Sequence, residues 1–280
     1  MSDLSSIDLH LHSTRSDGKL TPTELVRVVA ARGIAVAAVT DHDSTEGLDE
    51  ALEEAELHSG LRIIPGIEMS ADSPLVDQGD LHILGYFLDY KEQGFQDRLR
   101  EFRNGRIDRA KLMVEKLGEL GLPVDWKRVA EIAAGASVGR PHIAQAMVEN
   151  GYIENPKEAF NEFLQDGGRA HIERPHISAA DAIQLIQSVG GVAVMAHPLY
   201  AKNYRQVLPS MADLGAVGME VHYAEFDKRQ RMDLNEIAKA YGLLPCGGSD
   251  YHAFGLKGEL LPGSAGPTEE VLRKLENLAG

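Results

Sequence analysis

Short apolar stretches along the chain repeatedly lead to side chains that bind metals. In the first stretch, Ile7, Leu9 and Leu11 alternate with polar residues, and His10 and His12 fall between and after them. Side chains alternate across a β-strand, so this pattern predicts a strand with one buried apolar face and two imidazoles on the other. Imidazole pairs of this kind suit a divalent metal. Taken alone, the pair is also typical of an exposed edge strand.

Further apolar runs are followed by residues of the same kind. They are 35–40 before Asp41 and His42, 62–67 before Glu68, 191–196 before His197, 217–221 before His222, and 243–248 before Asp250 and His252. In barrels of parallel strands, the active site forms at the carboxyl ends of the strands, so ligands scattered in sequence become neighbours in space. The pattern therefore predicts one polynuclear metal site.

Helical segments alternate with these runs. Thr21, Pro22 and Glu24 predict a helix start with a capping box, and Gly33 ends that helix. Further helices are predicted near residues 44–59, 178–189, 204–214, 227–241 and 267–279. The alternation of strands and helices predicts an α/β fold of the barrel type.

One pair of strands departs from this order. No helix is predicted between Glu68 and the apolar run 81–86, and the link 70–79 contains proline and glycine. A link this short joins antiparallel strands. His82, which stands at the start of its strand, is therefore expected beside Glu68.

The second interruption is longer and helical. Residues 95–170 contain no predicted strand, and their four predicted helices span 95–120, 126–134, 141–150 and 156–165. We expect a barrel domain formed by residues 1–94 and 171–280, with residues 95–170 inserted as an all-helical substrate cap.

Two features of the insertion suit a phosphate ligand. Arg103, with neighbouring Asn104, is a candidate phosphate contact, although solvated charge paired with acidic neighbours is the default explanation for this arginine-rich helix. The loop 135–141 places Ser137 and Arg140 just before a helix start, where free amides favour anions. An ordinary turn between helices is the alternative interpretation of this loop.

Composition limits the classes of function. The chain has 280 residues, of which 43% are hydrophobic, which is enough for a barrel and one insertion. Its formal net charge of -15 disfavours binding to long nucleic acid, although a small phosphorylated ligand remains compatible. The sequence has no membrane-spanning run, no signal-peptide pattern and a single cysteine, Cys246. We therefore expect a cytoplasmic protein without a membrane partner.

The ordered set of motifs resembles the PHP family, named for polymerase and histidinol phosphatase. The residues that carry the resemblance are His10, His12, Asp17, Asp41, His42, Glu68, His82, His197 within 196–198, Asp250 and His252. Members with a helical insertion and motifs similar to Arg103-Asn104 and 139–142 include phosphatases of nucleoside 3',5'-bisphosphates and related exoribonucleases. The resemblance implies a distorted (β/α)7 barrel.

By this resemblance, two or three divalent ions are bound, often manganese (Mn²⁺) and sometimes zinc or iron. His10, His12 and Asp250 are expected to hold one ion, Glu68 to bridge it to a second held by His82 and His197, and Asp17, His42 and His252 to hold a third. A metal-bridging hydroxide is the expected nucleophile. Asp250 and His222 are the expected catalytic residues. For His222, a proton donor, a substrate contact and a core or rim histidine all remain open.

The predicted function is hydrolysis of the 3'-phosphate of a nucleoside 3',5'-bisphosphate, giving the nucleoside 5'-phosphate and orthophosphate. Arg103, Asn104, Ser137 and Arg140 are expected to hold the other phosphate. Because only 6% of residues are aromatic, stacking on the base is not evident. The sequence predicts neither the oligomeric state nor the base preference.

Three alternatives are compatible with parts of this pattern. A 5'-to-3' exoribonuclease acting on short 5'-phosphorylated RNA would use the same metals. Amide hydrolysis is disfavoured, because Glu68 stands where many amidohydrolases carry a carboxylated lysine. A metal-stabilised, non-catalytic binding module is disfavoured because three ions that share nine side chains leave coordination positions open, as catalytic sites do.

Overall fold

A computed structural model of the chain describes residues 4–72, 81–133, 138–165, 167–172, 177–255 and 258–280. The chain divides into two compact units: Met1–Gln96 with Ile177–Gly280, and Asp97–His176. The expected division was at residues 95 and 170.

The first unit is built on a seven-stranded sheet whose order follows the sequence. Its strands are β1 Ile7–Asp8, β2 Val36–Val39, β3 Arg62–Ala71, β4 Leu81–Tyr86, β5 Val192–Met195, β6 Gly218–Tyr223 and β7 Leu244–Gly248. β1 to β3 are parallel, as are β5 to β7, whereas β4 is antiparallel to both β3 and β5. A parallel bridge between Leu11 and Tyr251 joins the two edges. The predicted α/β barrel, distorted by one reversed strand, is confirmed.

The reversed strand sets the position of its first histidine. In the β3–β4 ladder, Ser70 pairs with His82 and Glu68 pairs with Leu84. The end of β3 and the start of β4 therefore lie at the same edge of the sheet, as the short link between them predicts.

In the described part of the chain, ten α-helices follow the predicted pattern. They are α1 Pro22–Ala31, α2 Leu48–Ala55, α3 Gln93–Glu119, α4 Trp126–Ala133, α5 Arg140–Glu149, α6 Pro156–Ala159, α7 Ala179–Ser188, α8 Tyr204–Asp213, α9 Lys228–Ala240 and α10 Glu269–Leu278. The predicted capping box opens α1: the Glu24 amide donates to the Thr21 side chain, and the Thr21 amide donates to the Glu24 carboxylate at 2.9 Å.

The barrel core consists of aliphatic side chains from the strands and the surrounding helices. Leu9, Ile64, Leu84 and Val194 form part of one buried cluster. A Cβ on Gly248 would lie 2.4 Å from the Cβ of His10. Glycine at this position therefore allows β1 and β7 to approach closely and close the barrel.

The second unit has a core of its own. Met113, Leu117, Ile143, Met147 and Leu164 are buried together within it. No helix among the described residues combines the length and the hydrophobicity that a membrane span requires.

Candidate metal centre

The strand ends bring the predicted ligands together. Eight of the nine fall in three overlapping groups, in each of which the ligand atoms lie within 4.8 Å of one another: His10, His12, Glu68 and Asp250; His42, Glu68 and His82; and His12, Asp17, His42 and His252. The ninth, His197, contacts Glu68 and His82. All nine side chains therefore belong to one cluster.

The first group combines residues that follow β1 and β7 with Glu68, which lies within β3. The Nε2 atoms of His10 and His12 lie 3.1 Å apart. Oε2 of Glu68 lies 3.2 Å from the His10 nitrogen and 3.1 Å from the His12 nitrogen. Oδ1 of Asp250 lies at the same two distances, 3.2 and 3.1 Å. Four donor atoms thus converge.

The second group uses the other oxygen of Glu68. Oε1 lies 2.8 Å from Nδ1 of His82 and 3.0 Å from Nε2 of His197. Those two nitrogens are 3.3 Å apart. Because each carboxylate oxygen faces a different group, Glu68 is oriented as a bridge between them.

The third group is looser and centres on Asp17. Its carboxylate oxygens lie 3.3 Å from Nε2 of His252 and 3.8 Å from Nε2 of His42. The second ring nitrogen of His12 is also 3.8 Å from Asp17. His42 additionally approaches Oε2 of Glu68 at 3.2 Å, so it links this group to the others.

Burial and mutual proximity alter protonation in the cluster. Burial opposes a charge on His12, but Asp250 and Glu68 outweigh it and raise the pKa of His12 to about 10. The pKa values of His10 and His197 are raised in the same way, against the effect of burial, by acidic neighbours that include Glu68 and Asp250. A metal that binds these imidazoles would therefore compete with protons.

The donor set fits divalent metal ions. Neighbouring ligands on one ion with bonds of about 2.1 Å are separated by about 3 Å, close to the spacings within the first two groups. Oδ1 of Asp17 and Oδ1 of Asp250 are shielded from solvent, and neither accepts a well-formed hydrogen bond from the described residues. Buried carboxylate oxygens without donors are costly, and a bound cation would offset that cost.

A buried glutamate supports the cluster from behind. Glu220 is fully buried; its Oε1 lies 3.1 Å from Nδ1 of His10, and its Oε2 accepts the His197 amide at 2.8 Å. This contact directs Nε2 of His10 towards the ligand group. Sequence reasoning missed Glu220, although an acidic residue inside the apolar run 217–221 was the available signal.

A β-bulge decides which residue of β6 reaches the cluster. The register against β7 shifts between Glu220 and His222. Tyr223 consequently points inwards, where its hydroxyl donates to Oδ2 of Asp250 at 2.7 Å and its ring lies 5.8 Å from that of His197. Alternation directs His222 to the other face. There, partial burial and then the Arg231 guanidinium of α9 lower the pKa of His222. This geometry favours the rim interpretation of His222.

The predicted substrate contacts belong to the second unit. Arg103 is partly buried and Asn104 is exposed on α3. Arg140 opens α5, and its guanidinium carbon lies 5.8 Å from the ring centre of Phe160. Ser137 lies outside the described residues.

The helix start at Arg140 is less open to anions than its sequence indicates. The Gly139 amide donates to Nδ1 of His142 at 3.0 Å, and His142 is buried. Pro141 has no amide hydrogen. The expected set of free amides is therefore reduced, and anion binding at this position depends on the Arg140 side chain.

Comparisons with known proteins extend over both units. The family profile of the PHP domain matches residues 8–100. A 5'-3' exoribonuclease Rnm of Salmonella typhimurium is 32% identical over 251 residues, covering 88% of this chain and 84% of that protein. A 3',5'-nucleoside bisphosphate phosphatase of Chromobacterium violaceum is 31% identical over 278 residues, covering 96% of this chain and 93% of that protein.

A solved structure shows the same fold. The crystal structure of a candidate metal-dependent phosphoesterase from Bifidobacterium adolescentis is 31% identical, with a TM-score of 0.86, and the match covers 98% of this chain and 96% of that one. The motifs, the fold and these matches agree, and the chain belongs to the PHP family.

Proposed function

We propose that this phosphoesterase removes the 3'-phosphate of nucleoside 3',5'-bisphosphates, giving the nucleoside 5'-phosphate and orthophosphate. The observation that carries the proposal is the position of Glu68, whose two oxygens face two separate groups of ligand atoms. Paired ions that share one carboxylate are typical of enzymes that hydrolyse phosphoesters.

Each ion has a proposed set of protein ligands. One would be held by His10, His12, Asp250 and Glu68, a second by His82, His197 and Glu68, and a third by Asp17, His42 and His252. When bound, such ions polarise phosphoryl oxygens and lower the pKa of a bound water molecule. Mn²⁺ is the proposed metal, with Zn²⁺ and Fe²⁺ as alternatives, because all three accept imidazole and carboxylate donors.

Other side chains orient the ligands and hold the substrate. Tyr223 donates to Oδ2 of Asp250, which leaves Oδ1 directed towards His10 and His12. Asp250 is the proposed catalytic carboxylate. A bisphosphate carries a second anionic group, and the insertion residues Arg103, Asn104, Ser137 and Arg140 are proposed to bind it.

Phosphate release with added Mn²⁺ tests this function. Adenosine 3',5'-bisphosphate should yield orthophosphate and adenosine 5'-phosphate, identified by chromatography, and adenosine 5'-phosphate itself should remain intact. A chelator should abolish the reaction. No phosphate release from any nucleoside 3',5'-bisphosphate would exclude the proposed function.

A second candidate function is 5'-to-3' exoribonuclease activity on short RNA. It is favoured by the similarity, at 32% identity, to the Salmonella typhimurium protein named for that activity. A 5'-phosphorylated oligoribonucleotide should be incubated under the same conditions. Stepwise release of mononucleotides from the 5' end, at rates above those for the bisphosphate, would favour this candidate over the first.

A further inference from the structure

A pocket of the barrel unit adjoins the metal cluster. It has a volume of about 460 Å³, and its lining includes Tyr200, Glu225, Asp250, His252 and Phe254. This volume is within the usual range for sites that bind small molecules. Because Asp250 and His252 belong both to the pocket wall and to the proposed ligand set, a phosphate at the metals would place its organic group here.

Two exposed aromatic rings extend from the cluster into this pocket. The ring of Tyr200 lies 5.2 Å from that of His197, and Tyr200 is 44% exposed. The ring of Phe254 stacks on His252 at 5.1 Å with an angle of 10°, and Phe254 is 46% exposed. Both rings are therefore anchored against proposed metal ligands while much of their surface remains available.

Local contacts hold the Tyr200 ring in place before any ligand binds. Its hydroxyl donates to Glu225. The rings of Tyr223 and Phe226 pack against it with their edges, at 5.8 and 6.2 Å between centres. A ring fixed in this way loses little conformational freedom when it stacks on a ligand.

Local contacts also fix the wall formed by Phe254, and a cation lies over its ring. The amides of Phe254 and Gly255 donate to the two carboxylate oxygens of Glu259, each at 2.7 Å. The ammonium group of Lys19 lies 5.8 Å from the centre of the Phe254 ring. Because a cation already lies over Phe254, Tyr200 offers the freer stacking surface.

Charge determines which part of a substrate fits this pocket. Glu225 and Glu259 both line it, so it disfavours a second phosphate group. An uncharged, planar group with hydrogen-bond donors suits aromatic walls with an acidic rim.

We propose that this pocket is the nucleoside subsite, in which the nucleobase stacks on Tyr200 and faces Phe254. The inference rests on the proposed function and deepens it, because it assigns the end of the substrate that the metals do not bind. Stacking on an aromatic side chain is tolerant of sequence, since every base has a π-face. The subsite should therefore accept different bases.

Calorimetry with the manganese-loaded protein tests the subsite without turnover. Wild type should bind adenosine 5'-phosphate about tenfold more tightly than ribose 5-phosphate, the difference expected from one stacked base. Tyr200→Ala should remove that difference and leave ribose 5-phosphate binding unchanged. Tyr200→Phe should preserve it, because the ring is retained. Phe254→Ala should reduce it by a smaller factor.

A matched control separates stacking from general loss of an exposed aromatic residue. Tyr241 is 42% exposed and lies outside the pocket lining, so Tyr241→Ala should bind both ligands as wild type does. Equal binding of the two ligands to wild type, or equal weakening of both by Tyr200→Ala, would overturn the subsite. The phosphate-release assay tests the proposed function separately: wild type that releases no phosphate from bisphosphates would exclude that function, whatever the binding results.

Discussion

Charged residues are arranged in opposite ways in the barrel and in the insertion. In the barrel, Glu68 is 1% exposed and lies within 3.2 Å of a ring nitrogen of five histidines. In the insertion, Arg100 and Asp97 form a 2.6 Å surface pair in which both side chains are more than half exposed, at 56% and 57%. Buried charge needs compensation, whereas exposed pairs contribute only about 0.2–1 kcal/mol.

In this protein, the spacing of charged residues along the sequence indicates function where those residues become buried, and not where they stay exposed. Burial of the charged residues in the barrel cluster would cost free energy without a bound cation. The composition of the cluster therefore indicates a metal site. Arg98 and Arg100 of α3 pair with acidic neighbours at helical spacing, so the number of arginines on this helix alone carries no functional information.

The largest effect is expected from Glu68→Gln. The carboxamide keeps the volume but removes the charge that faces two ligand groups, so we expect activity to fall by about 10³-fold or more. Metal analysis should show fewer bound ions per chain. Glu53→Gln, at an exposed position of α2, is the matched control and should behave as wild type. Full activity of Glu68→Gln would contradict the bridging role.

Glu220→Gln should weaken metal binding without removing a ligand. The change removes the negative charge beside Nδ1 of His10, and substitutions behind a ligand commonly cost about 10- to 100-fold in metal affinity. Titration with Mn²⁺ measures the effect. The control is Glu236→Gln on the exposed face of α9. An unchanged dissociation constant in Glu220→Gln would show that His10 is oriented by other contacts.

Removal of Arg140 tests the insertion. A charge-assisted hydrogen bond to phosphate contributes about 1.5–3 kcal/mol, so Arg140→Ala should raise KM for the bisphosphate by about tenfold or more. KM for a nucleoside 3'-monophosphate should stay unchanged, because that substrate lacks the second phosphate. Arg128→Ala, which breaks two surface pairs, with Glu131 and Glu149, is the control. Equal effects on both substrates would argue against a phosphate contact.

Metal binding should release protons and strengthen as pH rises. The pKa of His12 is raised to about 10, and the pKa values of His10 and His197 are raised too, so the acidic neighbours favour the protonated form of these rings over the neutral form that binds a metal. A metal binds only the neutral imidazole, so each displaced proton makes affinity rise by up to about tenfold per pH unit. Calorimetry in two buffers with different ionisation enthalpies counts the protons. Affinity independent of pH would contradict these shifts.

The smallest effect is expected from His222. Because Tyr223 contacts Asp250, side-chain alternation places His222 on the other face of β6, so His222→Ala should change kcat by less than about twofold. Tyr223→Phe should have the larger effect of the two, since it removes a hydrogen bond to Asp250. A large loss of kcat with His222→Ala alone would restore it as a catalytic residue.

Much of the fold could be predicted because hydrophobic runs and helix signals are local properties. The runs that became β2, β5 and β7 ended where their polar residues indicated, whereas β3 continues beyond Glu68 to Ala71, and the short link predicted the reversal of β4. The convergence of Glu68 with His82 follows from that reversal. These inferences needed only strand periodicity and the geometry of parallel sheets.

The remainder depended on features that a single sequence does not display. The bulge between Glu220 and His222 changes which side chains of β6 face inwards, and nothing in that apolar run marks the extra residue. The hydrogen bond from the Gly139 amide to the His142 ring likewise depends on the orientation of a side chain. Tyr200 and Phe254 had a weak signal, since each follows a predicted metal ligand by two or three residues.

Anomalous diffraction from a crystal grown with Mn²⁺ tests the central claim most directly. We expect at least two anomalous peaks flanking Glu68, one within bonding distance of Oε2, His10 and His12, and another within bonding distance of Oε1, His82 and His197. A fully occupied crystal with no peak beside Glu68, or with a single ion that contacts only one of its oxygens, would contradict the account.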